Sequence, residues 1–199
     1  SYNAVIIGTQ CWMAENLNIG TYRNNSVDQS NNSIFEKYCY NNTPANCDIY
    51  GGLYQWDEAM QYVTEESVQG ICPDGWHFPS DGEWMIMEEY LGMCSGAGAG
   101  CSGASGWRGI PTSVGDQLKT SGSFCQGSTP PCADSGFEAK PGGYMQSNDE
   151  WRNIGLNAVF HNSSSSGGAT GYRWLTYEYI SIGRGATTDF AYSVRCLKD

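Results

Sequence analysis

Basic residues are scarce in this chain of 199 residues: ten Lys and Arg stand against 21 Asp and Glu, for a formal net charge of −11. A surface so acidic repels phosphate backbones and anionic headgroups, which excludes nucleic acid as a partner and disfavours anionic membranes. No apolar run is long enough to cross a bilayer, so no membrane insertion is expected of this domain. Histidine occurs twice and no cysteine pair has Cys-x-x-Cys spacing, which removes a structural zinc site. Also missing are an ordered Ser/His/Asp set, a phosphate-binding glycine loop and a two-histidine metal motif. Neither enzyme chemistry nor a cofactor is therefore expected. No signal peptide opens the sequence, and its first residues already fit a globular pattern, as expected of a mature or trimmed protein.

What is present points to a loop-rich domain with an aromatic core. Glycine is frequent (26 residues), charged residues make up only 16%, and seven Trp and 13 Tyr supply large amphipathic rings for a core or a binding face. The length suits one domain over residues 1–199.

The nine cysteines fall largely into short-loop pairs: Cys39 with Cys47, Cys94 with Cys101, and Cys125 with Cys132. Cross-linking loops of this length removes denatured-state entropy of order 2–4 kcal/mol. Of the remaining three, Cys72 with Cys196 is the favoured pair, leaving Cys11 free or available for an intermolecular bond. Disulfides imply an oxidising compartment, hence an extracellular or cell-surface location.

Along the chain, residues 3–8 read as a strand and residues 18–48 as loop. Residues 57–63 read as a helix, with Asp57 at its N-terminus. Ser80 and Glu83 form a capping box for a second helix that runs to about Leu91, with Trp84, Met87 and Leu91 on one face. Residues 92–135 read as stapled loop. Short strands follow at 137–139, 143–145, 159–160, 172–179 and 192–196. This order points to an α+β fold.

Five ordered motifs then carry a resemblance. They are Trp12-Met13-Ala14-Glu15-Asn16-Leu17, Tyr50-Gly51-Gly52-Leu53-Tyr54-Gln55-Trp56-Asp57, and the run from Cys72-Pro73-Asp74-Gly75-Trp76-His77-Phe78-Pro79 through Trp84. Gly136-Phe137-Glu138-Ala139-Lys140-Pro141-Gly142-Gly143-Tyr144 and Ser193-Val194-Arg195-Cys196-Leu197-Lys198-Asp199 complete the set. Together they resemble the Fibrobacter succinogenes major paralogous domain over almost the whole chain. The resemblance implies a C-type-lectin-like fold of the formylglycine-generating-enzyme branch, with two helices and short antiparallel strands, on an exported or surface protein. It also implies kinship with variable proteins of diversity-generating retroelements, whose binding face near the C-terminus is diversified. A non-diversified adhesion or envelope domain is the alternative, and an enzyme of the formylglycine-generating type a more distant one, since that chemistry needs a reactive cysteine pair in the C-terminal part.

On this reading residues 159–185 form the ligand-binding region. Val159, His161, Tyr172, Trp174, Thr176, Tyr177, Tyr179, Ser181, Gly183 and Gly185 are the candidate contacts, while Arg173-x-Leu175 and Ile182-x-Arg184 are framework. Tyrosine beside small polar residues is what adaptable recognition surfaces favour, and buried tyrosines would each need a hydroxyl partner. In a strand, Tyr172, Trp174 and Thr176 share one face and Arg173 and Leu175 the other. His77 reads as structural, near the start of the second helix, and His161 as a contact rather than a catalytic base. A structural calcium is left open, with Asn148, Asp149 and Glu150, or Glu65 and Glu66, as oxygen donors. The ligand is expected to be a protein or another surface molecule.

Overall fold

In the computed structural model, which describes residues 1–94, 103–110, 112–122, 124–125 and 132–199, the first and last strands meet in one sheet. β1 (Ala4–Ile7) pairs with β2 (Gln10–Met13), β2 with β14 (Leu197–Lys198), and β14 with β6 (Trp76–His77). The largest sheet runs β10 (Asn157–Ser166), β11 (Ala169–Thr176), β12 (Ile182–Thr187), β7 (Gly106–Arg108), antiparallel throughout. A third holds β5 (Tyr54–Gln55), β13 (Ala191–Tyr192), β8 (Tyr144–Met145) and β9 (Trp151–Arg152). A parallel pair joins β3 (Thr21–Tyr22) to β4 (Glu36–Lys37). The helices are α1 (Pro44–Tyr50), α2 (Trp56–Ala59), α3 (Asp81–Tyr90) and α4 (Val114–Leu118), giving an α+β architecture of few helices and several antiparallel sheets.

The capping box forms as the sequence implies: Ser80 Oγ accepts from the Glu83 N–H, and the Ser80 N–H donates to Glu83 Oε2 at 2.7 Å. His77 braces that cap structurally, with Nε2 2.8 Å from Glu83 Oε1 and Nδ1 2.8 Å from Asp199 Oδ1. Trp84 and Met87 are buried and Leu91 packs against them, so α3 presents the expected face to the core.

Other elements differ from the sequence reading. The helix expected over 57–63 keeps one turn, because Gln61 and Tyr62 adopt φ of 52° and 61° and both side chains turn back to Glu58. Residues 44–48, within the stretch 18–48 read as loop, fall in α1, with Pro44 at its start, where a missing N–H costs nothing. The segment 92–135, read as loop, contains β7 and α4, and β12 lies outside the strands expected from the sequence. Residues 137–139 make an isolated bridge rather than a strand.

The motifs turn out to be core. Trp12 and Trp84 pack with centroids 4.9 Å apart and their planes inclined by 56°, and Phe137 lies 5.6 Å from Trp84 and Phe160 5.7 Å. Arg195 is fully buried with its guanidinium 4.4 Å over Phe137; it donates to Asn16 Oδ1 and to the carbonyls of Met13, Phe137 and Glu138. The first, fourth and last motifs are thereby tied by one cation, whose burial is tolerable because its N–H groups are engaged.

Among the described residues three disulfides are present: Cys39–Cys47, Cys72–Cys196 and Cys125–Cys132. Cys72–Cys196 closes the longest loop, with a sequence separation of 124. Cys11 is free, and the expected Cys94–Cys101 pair involves Cys101, which lies outside the described residues. No helix in the described residues is long and apolar enough to cross a membrane.

Candidate functional site

Alternation along the largest sheet sorts its residues onto two faces. Ala158 pairs with Leu175, Phe160 with Arg173, Arg173 with Arg184 and Ile182 with Arg108; these face α3 and the core. Val159 pairs with Trp174, Trp174 with Gly183 and Gly183 with Trp107, while His161 pairs with Tyr172 and Tyr172 with Gly185. Six sequence candidates, Val159, His161, Tyr172, Trp174, Gly183 and Gly185, therefore share the face turned away from α3.

A charge network locks the inner face to α3. Glu88 accepts from Arg108 Nη1 at 2.7 Å and from Arg173 Nε at 2.5 Å, with all three side chains buried. Asp81, in the first turn of α3, takes Arg173 Nη1 at 2.6 Å and Arg184 Nη2 at 2.5 Å. Burial alone would raise the Asp81 carboxyl, but hydrogen bonds and charge from Arg184 and Arg173 outweigh it and hold its pKa at about 2. Arg173 and Arg184, the framework arginines of the resemblance, thus set the orientation of the strands that carry the outer face.

The outer face is aromatic. Trp107 sits 5.4 Å from Trp174 and 4.6 Å from Tyr179. Tyr172 lies 5.5 Å from Tyr192, which also contacts His161 at 4.7 Å, Tyr144 at 5.8 Å and Phe190 at 5.7 Å. Between these groups lies a cleft of about 210 Å³ lined by Tyr144, Val159, Tyr172, Trp174, Phe190 and Tyr192, with Ala186 and Thr187 at its edge. The glycines of β12 leave room for these side chains against the strand. A Cβ on Gly185 would meet Tyr172 Oη at 2.5 Å, and one on Gly183 would press on Trp107 and Trp174 at 3.3 Å. Burial raises the pKa of Tyr144, Tyr172 and Tyr192, so these phenols stay protonated and can donate.

The candidates do not all reach solvent. Tyr177 and Tyr179 are exposed, and Tyr172 and Trp174 are half-buried with their rings at the cleft. Trp174 Nε1 is 3.1 Å from the Asn157 carboxamide oxygen in the orientation that satisfies that amide. Val159 is buried and offers only its side of the cleft wall; Thr176 and Ser181 are interior. His161 is interior too: its Nε2–H donates to the Tyr54 carbonyl at 3.1 Å, and burial lowers its pKa to about 4. Interior placement leaves His161, Thr176 and Ser181 as supports of the face.

Four rings of this face, Trp107, Tyr144, Phe190 and Tyr192, were not among the sequence candidates. Trp107 falls in a Gly/Ser-rich stretch with no strand signal, and the other three lie on separate strands and loops whose convergence is a product of topology. The abundance of Trp and Tyr was the available hint.

The acidic groups considered for calcium occupy a turn: Glu150 pairs with Arg152, Asn148 Oδ1 accepts from the Glu150 N–H, and Asp149 has a φ of 62°. Glu65 accepts from the Thr64 N–H. A larger groove of about 470 Å³ opens at the start of α3, but its Asp81 and Arg184 neutralise each other and no ring lines it.

A family model described as the Fibrobacter succinogenes major domain matches residues 5–198. No curated protein and no solved structure matches the chain.

Proposed function

The chain belongs to the Fibrobacter succinogenes major domain family, and from that premise we propose that it is a non-enzymatic ligand-binding domain of an exported or surface protein. Its binding face is the aromatic outer face of the β10–β11–β12–β7 sheet. The observation that carries this reading is the cleft itself: rings from separate segments, at Tyr144, Tyr172, Trp174, Phe190 and Tyr192, line it, and Trp107 and Tyr179 extend the aromatic surface beside Trp174. Clefts of this make-up anchor one apolar or amphipathic group while a few polar atoms fix its orientation. A volume of about 210 Å³ suits a single side chain presented by a protein ligand.

The C-type-lectin-like fold is part of the proposal. It is supported by the pairing of β14 with β2, which brings the first and last strands into one sheet. An extracellular or surface location accords with three disulfides and the absence of a membrane-crossing helix in the described residues.

Diversification of this face by a retroelement is the first form of the proposal, supported by the outward placement of Tyr172, Trp174, Tyr177 and Tyr179 within 159–185. A fixed adhesion face is the second form. It is favoured by the four rings that stand outside that region and by the fit of Tyr172 over Gly185. The surrounding DNA separates the two. A nearby reverse transcriptase gene with a repeat of the 3′ coding region differing at adenines establishes the first, and the absence of both leaves the second. Binding itself is tested with a random peptide display library: binders to the parent should be lost with Trp174→Ala, and binders indifferent to that change would overturn the assignment of the face.

A further inference from the structure

The outer face of the large sheet continues past the aromatic cleft. Thr187, at the cleft edge, pairs with Thr170 across β12 and β11, and the Thr170 hydroxyl donates to the Thr187 carbonyl at 3.1 Å. By alternation Thr170 lies on the same face as Tyr172 and Trp174. It lines a second hollow of about 450 Å³, which also takes in Thr188 and Asp189, the residues between Thr187 and Phe190 of the cleft. The two hollows therefore adjoin along the Thr170–Thr187 pair and the 188–190 turn. Their chemistry differs. Four carboxyls line the second hollow, those of Asp28, Asp57, Glu58 and Asp189, and no Lys, Arg or His does. None of the four makes a salt bridge among the described residues. Glu58 is buried and accepts from the Tyr62 hydroxyl and the Glu36 N–H, each at 2.8 Å, while Asp28, Asp57 and Asp189 are exposed. No Lys, Arg or His lines the aromatic cleft either; Arg152, paired in register with Tyr144, is engaged by Glu150.

We infer that the partner of this face is a basic polypeptide segment, which places an aromatic or large aliphatic side chain in the cleft and a neighbouring Lys or Arg in the acidic hollow. The inference rests on the reading of the outer face as a binding surface and names the chemistry of what it binds. Tyr172 and Thr170 stand about 7 Å apart along β11, the spacing of side chains two positions apart in an extended segment. A Lys or Arg side chain suits the second hollow because its apolar stem can lie on Tyr62 while its charged head stays wet among the carboxylates. An uncompensated group of carboxylates beside an apolar anchor site favours such a partner and repels acidic ones, which is how charge complementarity at a rim confers specificity.

The test selects peptides on the intact protein from a random display library and measures their Kd for the parent and for the variant Asp28→Asn, Asp57→Asn, Asp189→Asn. All three positions are exposed, and Asn tolerates the left-handed φ of 58° at position 189. Selected peptides should be enriched in Lys or Arg beside an aromatic or large aliphatic residue. At low salt the variant should bind them about 10-fold more weakly, the product of three solvated pairings each contributing a factor of about two. At about 1 M salt, where charges are screened beyond about 3 Å, the gap should shrink below about 3-fold. Replacing the peptide's basic residue by Gln should weaken binding to the parent by a similar factor and to the variant hardly at all, an arm that needs no altered protein for its first half. Peptides that require Trp174 but show no enrichment in Lys or Arg, or that bind parent and variant alike, would overturn the basic partner and leave the binding face standing. Peptides indifferent to Trp174→Ala would remove the face and this inference with it.

Discussion

Glu88→Ala removes the carboxylate that both Arg108 and Arg173 engage in the interior of the molecule, at 2.7 Å and 2.5 Å. The lost attraction is not the main cost. Two fully buried guanidiniums would lose the carboxylate they share, and Arg173 would keep the Asp81 end of its network. Breaking a buried pair in this way costs about 3–5 kcal/mol. For a chain of 199 residues each kcal/mol lowers Tm by roughly 2–4 °C, so the loss should lie near 6–20 °C. Thermal melts followed by near-UV circular dichroism, with disulfides intact, give the shift directly. Replacing the whole cluster with apolar residues of similar volume (Glu88→Leu, Arg108→Met and Arg173→Met together) should recover much of it, because no charge is then left stranded. A fall in Tm below about 3 °C for Glu88→Ala, or a triple variant less stable than the single one, would refute the view that this network clamps the sheet to α3.

Removing the Cys72–Cys196 bridge should cost about 5 kcal/mol by loop entropy and removing Cys39–Cys47 about 2.6, so urea titration should rank the first as the larger loss. His161 has a folded pKa of about 4, below its unfolded value near 6.5; the unfolded chain therefore binds the extra proton first, and stability should fall as pH drops from about 6.5 to 4. His161→Gln should flatten that part of a Tm-versus-pH profile. Gly115→Ala would set a Cβ 2.2 Å from the Ser181 carbonyl oxygen, a backbone atom that cannot step aside, and should cost about 1–3 kcal/mol in urea denaturation.

The legible parts of the sequence were those that local chemistry dictates. Ser80 and Glu83 announced the start of α3, and the period of Trp84, Met87 and Leu91 its buried face. Alternation at 172–175 placed Tyr172 and Trp174 opposite Arg173 and Leu175. Less legible was anything decided by distant partners. The helix at 56–59 stops where Gln61 and Tyr62 fold back on Glu58, a carboxylate that also accepts from the Glu36 N–H of a distant strand. His161 looked like a surface contact because it sits among polar residues, but the Tyr54 carbonyl and the Tyr192 ring enclose it. Half of the aromatic face was invisible for the same reason. Trp107 reaches Trp174 only through the pairing of β7 with β12, and Phe190 and its chain neighbour Tyr192 reach Tyr144 only because β13 pairs with β8.

The central claim, that the outer face of the sheet binds rather than stabilises, is tested most directly by comparing stability and binding in one variant, Tyr172→Ala with Trp174→Ala and Tyr179→Ala. These rings stand at the cleft or in solvent, unlike the enclosed Trp12 and Trp84. The account predicts that peptides selected on the parent lose the variant entirely while Tm stays within a few degrees. A variant that melts far below the parent, or that still holds the selected peptides, would contradict it.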